Sequence, residues 1–216
     1  MTEDSRPAVT EALRAAILAG EYAPKQRLVE VDLCERFSTS RFILRAAMQE
    51  LAAQGLVEFQ RNRGARVREI SLPEAIEITE VRILLEGLLA ARAAERVTKA
   101  DIAMLRKLAK DMRIAVERSE LLTYSDLNAQ LHAAIRDIAA HETAGRLLRQ
   151  LRDQTVRHQF SLSLVPGRPT VSLPQHEAIV AAISARDSRA AEAAMRGHLQ
   201  SVIDAFRALS VAAAQR

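Results

Sequence analysis

The first seventy residues change hydrophobic period once, and the change separates helices from strands. Apolar residues recur at helical spacing in three segments, residues 8–19, 30–36 and 40–54. Ser38-Thr39-Ser40 is a typical start and Gly55 a typical end for the third helix. Residues 56–59 and 65–70 then alternate with a period of two on either side of a turn, which predicts two strands. Three helices followed by a small hairpin are the order of a winged helix-turn-helix.

Beyond residue 70 only the helical period remains. Ser71-Leu72-Pro73-Glu74 has the spacing of a capping box with an early proline, so we expect a helix start and a domain boundary there. Six helices are predicted, over residues 72–96, 99–118, 121–139, 142–160, 173–185 and 187–212. Leu164–Pro174, with its prolines and glycine, is predicted as a long loop. The expected fold is mainly α: a winged helix-turn-helix domain with a β-hairpin wing over residues 1–70, and an all-α helical bundle over residues 71–216.

Composition agrees with a helical, globular protein. Hydrophobic residues make up 49% of the chain and aromatic residues 3%, with no Trp and only 7 Gly and 6 Pro. The single cysteine, Cys34, excludes an internal disulfide. The N-terminus is polar, and no apolar run reaches the roughly 18 residues that a membrane helix needs. We therefore expect a cytoplasmic protein without a membrane partner.

The placement of charge is more informative than its total. The net charge of +4 permits a polyanionic partner. On the third helix Arg41 and Arg45 lie four residues apart, so they share a face beside the apolar stripe, as a helix in the major groove requires. Ser40, at the start of this helix, is placed to contact phosphate. The alternative is that these arginines form a solvated face.

The predicted hairpin is basic as well. Its tip is Asn62-Arg63-Gly64, and Arg61, Arg66 and Arg68 flank it. A narrow, positive loop beside a recognition helix suits phosphates or an A·T-rich minor groove. For Arg66 and Arg68, a solvated face explains the sequence equally well.

The N-terminal segment resembles the GntR family of bacterial regulators. The resemblance rests on Gly20–Leu28, Leu33, Ser40-Arg41, Arg45, Leu51, Gly55-Leu56-Val57 and Asn62-Arg63-Gly64-Ala65. It implies that Ser40, Arg41, Arg45, Arg63 and Gly64 contact double-stranded operator DNA. The family pattern Ser-Arg-Thr-Pro-Val-Arg-Glu-Ala reads Ser-Arg-Phe-Ile-Leu-Arg-Ala-Ala here, so Phe42 and Ala46 are departures and the operator sequence does not transfer.

All five histidines lie in the C-terminal part, at positions 132, 141, 158, 176 and 198. Asn128 and His132 are four residues apart on one helix, and His176 and His198 lie on two later helices. Three imidazoles that converge inside a bundle can bind a divalent metal. A packed or surface histidine is the commoner outcome for each of them taken alone.

This region resembles the FCD effector domain of FadR-type GntR regulators. The resemblance rests on Glu80-Val81-Arg82, Leu85-Glu86, Asn128-x-x-Leu131-His132, Gln175-His176, Ile179 and Arg196–Leu199. It implies a divalent metal, zinc or similar, held by Asn128, His132, His176 and His198, and a small organic acid as effector. Asn128 is the weakest ligand because its amide brings no charge, and Asp126, about 200° around the helix, is not placed to replace it.

Arg82 is the candidate for direct contact with an anionic effector, because a buried guanidinium needs an anion. An internal ion pair with Glu86 is the alternative, and the sequence leaves both open.

No catalytic residue is assigned, because the chain lacks a His-Glu-x-x-His or similar pairing. We expect a homodimeric, ligand-responsive transcription regulator that binds a palindromic operator. The two alternatives are a helical metalloenzyme and a DNA-binding protein whose C-terminal bundle only dimerises.

Overall fold

The computed structural model describes residues 5–61 and 63–214. The chain divides into two compact units, Met1–Ser71 and Leu72–Arg216. Over the described residues the first unit is a three-helix domain with a small sheet and the second is entirely helical. The expected mainly α fold class, with an N-terminal winged helix-turn-helix, is therefore confirmed.

The N-terminal unit is assembled around its third helix. Its elements, in chain order, are α1 (Ser5–Leu18), β1 (Arg27–Leu28), α2 (Glu30–Arg36), α3 (Arg41–Ala53), β2 (Val57–Gln60) and β3 (Gly64–Val67). Helix α3 packs against α1, α2 and β2. Its stripe Leu44, Ala47, Met48 and Leu51 is fully buried, and the other face is left to solvent. Burial of this stripe is the main source of stability for so small a domain.

The wing is a three-stranded antiparallel sheet in the order β1-β3-β2. Residues Val57 and Phe59 of β2 pair with Val67 and Ala65 of β3, as the predicted hairpin requires. The outer strand β1 was not predicted, because two residues are too few for an alternating pattern to be recognised. Gly64 begins β3 with φ of +79°, a conformation that glycine adopts without steric cost.

Over residues 72–214 the C-terminal unit consists of six helices. They are α4 (Leu72–Arg96), α5 (Lys99–Glu117), α6 (Leu121–Ala139), α7 (Glu142–Ser163), α8 (Arg168–Ser184) and α9 (Ser188–Ala214). Thr98 and Asp101 form a capping box at the start of α5, and Asp187 accepts a hydrogen bond from the backbone of Ala190 at the start of α9. Helix α4 packs against α6, α7, α8 and α9, so it is the central helix of the bundle.

The prediction of a long loop over Leu164–Pro174 is wrong. Helix α7 continues to Ser163 and α8 begins at Arg168, so only four residues connect them. Gly167, with φ of +81°, makes the turn, and Pro169 lies in the first turn of α8, where its missing N–H leaves no extra group unpaired. Pro174 lies inside α8, a position that the sequence pattern marks as a helix breaker. Contacts of α8 with α9 and α5 offset that local cost.

None of the described helices combines the length and the apolar character needed to cross a membrane.

Candidate functional site

The first turns of α3 bring three of the predicted DNA-contacting residues together. Ser40 caps the helix, accepting a 3.3 Å hydrogen bond from the backbone N–H of Ile43. Arg41 is exposed, and so is Arg45, whose side chain is 64% accessible. The Arg45 Nε donates a 2.8 Å hydrogen bond to Glu30 of α2. This end of α3 is therefore solvent-accessible and basic, and one of its two arginines is oriented by an acidic neighbour.

Phe42, which follows Arg41 and precedes Arg45 on α3, is unusual for a surface residue. Phe42 is 82% exposed, so its ring covers no part of the core. The sequence comparison above placed it where a small hydroxyl residue is usual, and the structure leaves the phenyl ring in solvent beside Arg41.

The wing tip holds the other two predicted DNA contacts. Arg63 and Gly64 are both exposed at the start of β3, while Asn62 lies outside the described residues. Arg66 is half-buried and forms a cross-strand ion pair with Glu58, which lies opposite it in the sheet. For Arg66, an internal role in the sheet therefore accounts for the basic residue.

The second candidate site is a cavity of about 50 Å³ inside the helical unit. Five helices contribute its walls: α4, α6, α7, α8 and α9. The lining residues are Arg82, Tyr124, Asn128, His132, Gln159, Leu162, Ser163, Arg168, Ser172, His176, His198, Leu199 and Val202. The structure thus brings together every predicted metal ligand and the predicted effector-binding arginine, which are up to 116 positions apart in the chain.

Three imidazoles converge in this cavity. His132, His176 and His198 come from α6, α8 and α9 and are all buried. One ring nitrogen from each lies within 4.8 Å of the corresponding atoms of the other two. Zinc–nitrogen bonds are about 2.0–2.1 Å long, so three nitrogens this close to one another can share one ion.

Each ring is held through its Nδ1 atom by a residue outside the cluster. The Nδ1 of His132 lies 2.6 Å from the Glu86 carboxylate, and the Nδ1 of His198 lies 3.0 Å from the Gln175 side-chain oxygen. Both partners are acceptors, so these two rings carry their proton on Nδ1 and have a free lone pair on Nε2. The Nδ1 of His176 lies 3.1 Å from the Tyr124 hydroxyl. A hydrogen-bonded Nδ1 with an available Nε2 is the usual arrangement of metal-binding histidine.

Burial keeps these histidines neutral. It lowers the pKa of His176 and of His198 well below the usual histidine value. It also lowers the pKa of His132, although the neighbouring Glu86 acts in the opposite direction. Neutral imidazoles are the form in which histidine binds a metal.

Among the predicted metal ligands, two buried polar atoms lack a hydrogen-bond partner in the described part of the chain: the Nε2 of His176 and the side-chain oxygen of Asn128. Buried polar groups are rarely left unpaired, because the lost hydrogen bonds with water are not replaced. The unpaired Nε2 of His176 is a nitrogen that a cation bound at the three histidines would occupy, and Asn128 lines the same cavity. Asp126, the carboxylate closest to Asn128 in sequence, is exposed and does not line the cavity.

Arg82 forms the internal ion pair that the sequence left open, and it also reaches the cavity. Its Nη2 and Nε donate to one oxygen of Glu86 at 2.6 and 2.9 Å, which is the predicted internal ion pair. Its Nη1 is buried without a partner among the described residues, and the side chain lines the cavity. Burial by itself raises the pKa of Glu86, but Arg82, His132 and Arg152 outweigh it and hold the pKa well below its usual value. Glu86 is therefore an ionised carboxylate shared between Arg82 and His132.

Several residues of this site were not predicted. Tyr124 lies four residues before Asn128 and eight before His132, so the helical spacing of residues 124, 128 and 132 was a signal for it. Arg168 lies in the segment that was predicted as a loop. Arg152, whose pKa burial lowers to about 10, had no such signal in the pattern.

Comparison with known proteins gives consistent matches over both units. Residues 6–67 match the bacterial regulatory proteins of the gntR family, and residues 77–201 match the FCD domain. The chain is 29% identical to the HTH-type transcriptional repressor RspR of Escherichia coli K12, over 95% of this chain and 90% of the relative. It is 30% identical to the transcriptional regulator LutR of Bacillus subtilis, over 86% and 93%. The solved structure of E. coli McbR/YncC matches with a TM-score of 0.78 at 20% identity, covering 97% of this chain and all of that one.

Replacing Glu86 with Gln tests the buried charge network. The change removes the negative charge that compensates Arg82, so the free energy of unfolding should fall by about 3–5 kcal/mol, as measured by urea unfolding with circular dichroism. Glu80→Gln on the same helix is the matched control, because Glu80 meets Arg207 only at 3.7 Å and both side chains are more than half exposed. That exposed pair should contribute about 0–1 kcal/mol. Equal losses in the two variants would contradict the analysis.

Proposed function

This chain belongs to the GntR family of bacterial regulatory proteins and carries an FCD domain. We therefore propose that it is a homodimeric repressor whose affinity for operator DNA changes when a small carboxylate binds. Family membership makes it a transcription regulator with a DNA-binding unit, not an enzyme. The finer parts of the proposal concern the DNA contacts, the metal, the effector and the dimer. One observation carries the sensor function: three buried imidazoles whose Nδ1 atoms are engaged elsewhere and whose remaining nitrogens converge in one cavity.

The proposed DNA contacts are Ser40, Arg41, Arg45, Arg63 and Gly64. The exposed start of α3 supports placing that helix in the major groove, where Arg41 and Arg45 can donate to guanine or to phosphate. At the exposed wing tip, Arg63 contacts the neighbouring backbone or minor groove, and Gly64 permits a close approach. These are all charge-assisted contacts, so binding is expected to weaken steeply with salt.

The proposed metal ligands are Asn128, His132, His176 and His198. Their fit to a divalent ion such as zinc is supported by the neutral imidazoles and by the two unpaired buried atoms, Asn128 Oδ1 and His176 Nε2. When bound, such an ion acts as a Lewis acid that attracts a carboxylate into an open coordination position. The chain's own residues orient the ligands, because Glu86, Gln175 and Tyr124 form hydrogen bonds with the Nδ1 atoms of the three rings.

Arg82 is the proposed direct contact for the effector. Its free Nη1 points to a need for one more acceptor, and the carboxylate of a small acid supplies it. Because Arg82 is on α4, which begins at Leu72 immediately after the DNA-binding unit, an effector here acts on the helix that continues from that unit. A change in the position of α4 is therefore the proposed route from effector to DNA affinity.

A homodimer is supported by an apolar stripe on the outer face of α4. Val81, Leu84 and Leu88 are 49%, 57% and 38% exposed and follow one another at helical spacing. A row of large apolar side chains on a surface is typical of a protein interface. The proposed occupant is a second copy of α4, because a palindromic operator requires a two-fold symmetric protein.

The metalloenzyme alternative conflicts with the family and finds no support in the cavity. Among the described residues no Asp or Glu lines it, so a hydrolytic reaction would lack a carboxylate base beside the metal. The alternative in which the bundle only dimerises predicts an apolar interior at this position, and the experiments below separate it from a sensor.

Arg41→Ala and Arg45→Ala test the DNA contacts. Each change should weaken binding to the protein's own promoter region by about 1–3 kcal/mol, measured by mobility shift at fixed salt. The charge-matched control is Arg106→Ala with Arg189→Ala in the other unit, which should bind DNA as the wild type does. Zinc content should be the same in all variants. Normal DNA binding by the Arg41, Arg45 double variant would refute the assignment.

His176→Ala tests the metal site. The purified wild type, dialysed with zinc, should retain about one ion per chain, and the variant close to none, measured by elemental analysis. His158→Ala is the control, because His158 lies against Phe206 and does not line the cavity. Asn128→Asp should bind zinc more tightly than the wild type, because a carboxylate offsets the charge of the ion. Zinc retention by His176→Ala would argue against the site.

Leu84→Glu tests the dimer. A charge in the middle of the apolar stripe should convert a two-chain species into single chains in sedimentation, and operator affinity should fall with it. Leu122→Glu on α6, at a side chain that is 60% exposed, is the control and should remain a dimer. If Leu84→Glu sediments as the wild type does, α4 is not the interface.

A further inference from the structure

We propose that Arg168 is a second anion-binding residue in the histidine-lined cavity, and that the effector is accordingly a small dicarboxylate. The inference rests on the proposed function, since it specifies the chemical class of effector for the same cavity. It was not available from the sequence, which placed Arg168 in a loop.

Arg168 is fixed in position but not fully hydrogen-bonded. It is the first residue of α8, and its Nη1 donates to the Ser201 hydroxyl at 2.8 Å and to the Ser201 carbonyl at 3.2 Å. Its Nη2 is buried without a partner among the described residues. One edge of the guanidinium is thus anchored to α9, while the other lacks an acceptor. A buried N–H without an acceptor is costly, and an anionic oxygen is the strongest available partner.

The charge balance of the cavity calls for more than one negative charge. Arg82 and Arg168 both line it, and among the described residues no carboxylate does. Glu86, behind the wall, is already shared between Arg82 and His132. Burial lowers the pKa of Arg168, and that of Arg152 to about 10, yet both remain cations at neutral pH. Glu86 offsets one of the three cations Arg82, Arg152 and Arg168. A monocarboxylate offsets one of the two positive charges that remain, whereas a dicarboxylate offsets both.

Two hydroxyl groups line the cavity together with Arg168. Tyr124 and Ser172 are both buried. Burial raises the pKa of Tyr124 to about 12, so its hydroxyl keeps the proton. A carboxylate against Arg168 therefore has uncharged donors available as well as the guanidinium, as expected of a site that binds one defined anion.

Cavity size restricts the dicarboxylate to a short one. A volume of about 50 Å³ is enough for a few water molecules, since each needs about 10–15 Å³ on this measure. Acids of three or four carbons match this space, and long acyl chains do not.

Arg168 is also connected to the proposed metal ligands. The Ser201 hydroxyl that receives Arg168 donates to the Gln175 side-chain oxygen at 3.3 Å, and the same oxygen accepts from His198 at 3.0 Å. A ligand at Arg168 and a ligand at the histidines therefore act on one hydrogen-bond chain, which favours a single molecule that contacts both ends.

The test compares acids that differ only in the second carboxylate. Zinc-loaded protein is titrated calorimetrically with malonate and propionate, succinate and butyrate, and malate and 2-hydroxybutyrate, and its zinc content is measured afterwards to exclude chelation. In at least one pair the dicarboxylate should bind about tenfold more tightly or better, the expected effect of one charge-assisted contact. Arg168→Gln should abolish that advantage, so that the two members of each pair bind with equal affinity. Arg189→Gln, which removes an exposed arginine, should preserve it.

Arg168→Lys provides a second variant in case Arg168→Gln folds poorly. A lysine keeps the positive charge but lacks the planar guanidinium that can donate to Ser201 and to the ligand at the same time. Part of the dicarboxylate advantage should therefore remain. A full advantage in both folded variants would overturn the role of Arg168. Equal affinity for both members of every pair in the wild type would overturn the dicarboxylate inference and leave the proposed carboxylate sensor standing. No binding of any of these acids, with normal zinc and DNA binding, would overturn both.

Discussion

The C-terminal unit depends on the ion pair and the hydrogen bond of one buried carboxylate, that of Glu86. It lies on α4, the helix that contacts four others, and it compensates Arg82 while it orients His132. A guanidinium inside a helical bundle is tolerated only when an anion accompanies it. Once that pair is formed, the free Nη1 of Arg82 and the Nε2 of His132 both become available inside the cavity. The same carboxylate thus makes the core stable and leaves two functional groups in place.

The sequence was sufficient to predict the elements in which apolar residues recur with a regular period. Periodicity located the helices and the hairpin, and spacing placed Asn128 and His132 on one face of α6. The convergence of His176 and His198 was not visible in any period, because it depends on how α8 and α9 pack against α6; the resemblance to the FCD domain supplied it. Arg168 was missed because prolines on either side concealed a helix start. The partner of His198, Gln175, is one residue from His176 and yet serves a different helix, which local sequence cannot indicate.

The DNA-binding unit also contains a basic side chain that is paired with an acidic one. Arg45 is a proposed DNA contact, and its Nε donates a hydrogen bond to Glu30. An arginine already paired contributes little to long-range attraction of any duplex, since the pair has no net charge. Such a contact favours sites where the guanidinium gains more from the DNA than it loses from Glu30. If Arg45 contacts DNA as proposed, we expect Glu30 to affect selectivity more than affinity. The exposed ring of Phe42 adds an apolar surface nearby, which gains nothing from contact with phosphates.

Pro174 inside α8 has a mechanical consequence. Proline has no backbone N–H, so the helical hydrogen bond from this residue to the carbonyl of residue 170 is missing. The first turn of α8, which carries Arg168, is consequently joined to the rest of the helix by one backbone hydrogen bond fewer. His176 lies after Pro174, in the part of α8 that follows the missing hydrogen bond. The cavity is thus lined by both parts of α8: Arg168, held to α9 through Ser201, precedes the missing hydrogen bond, and His176 follows it. A change in the bend of α8 at Pro174 would alter the distance between these two lining residues.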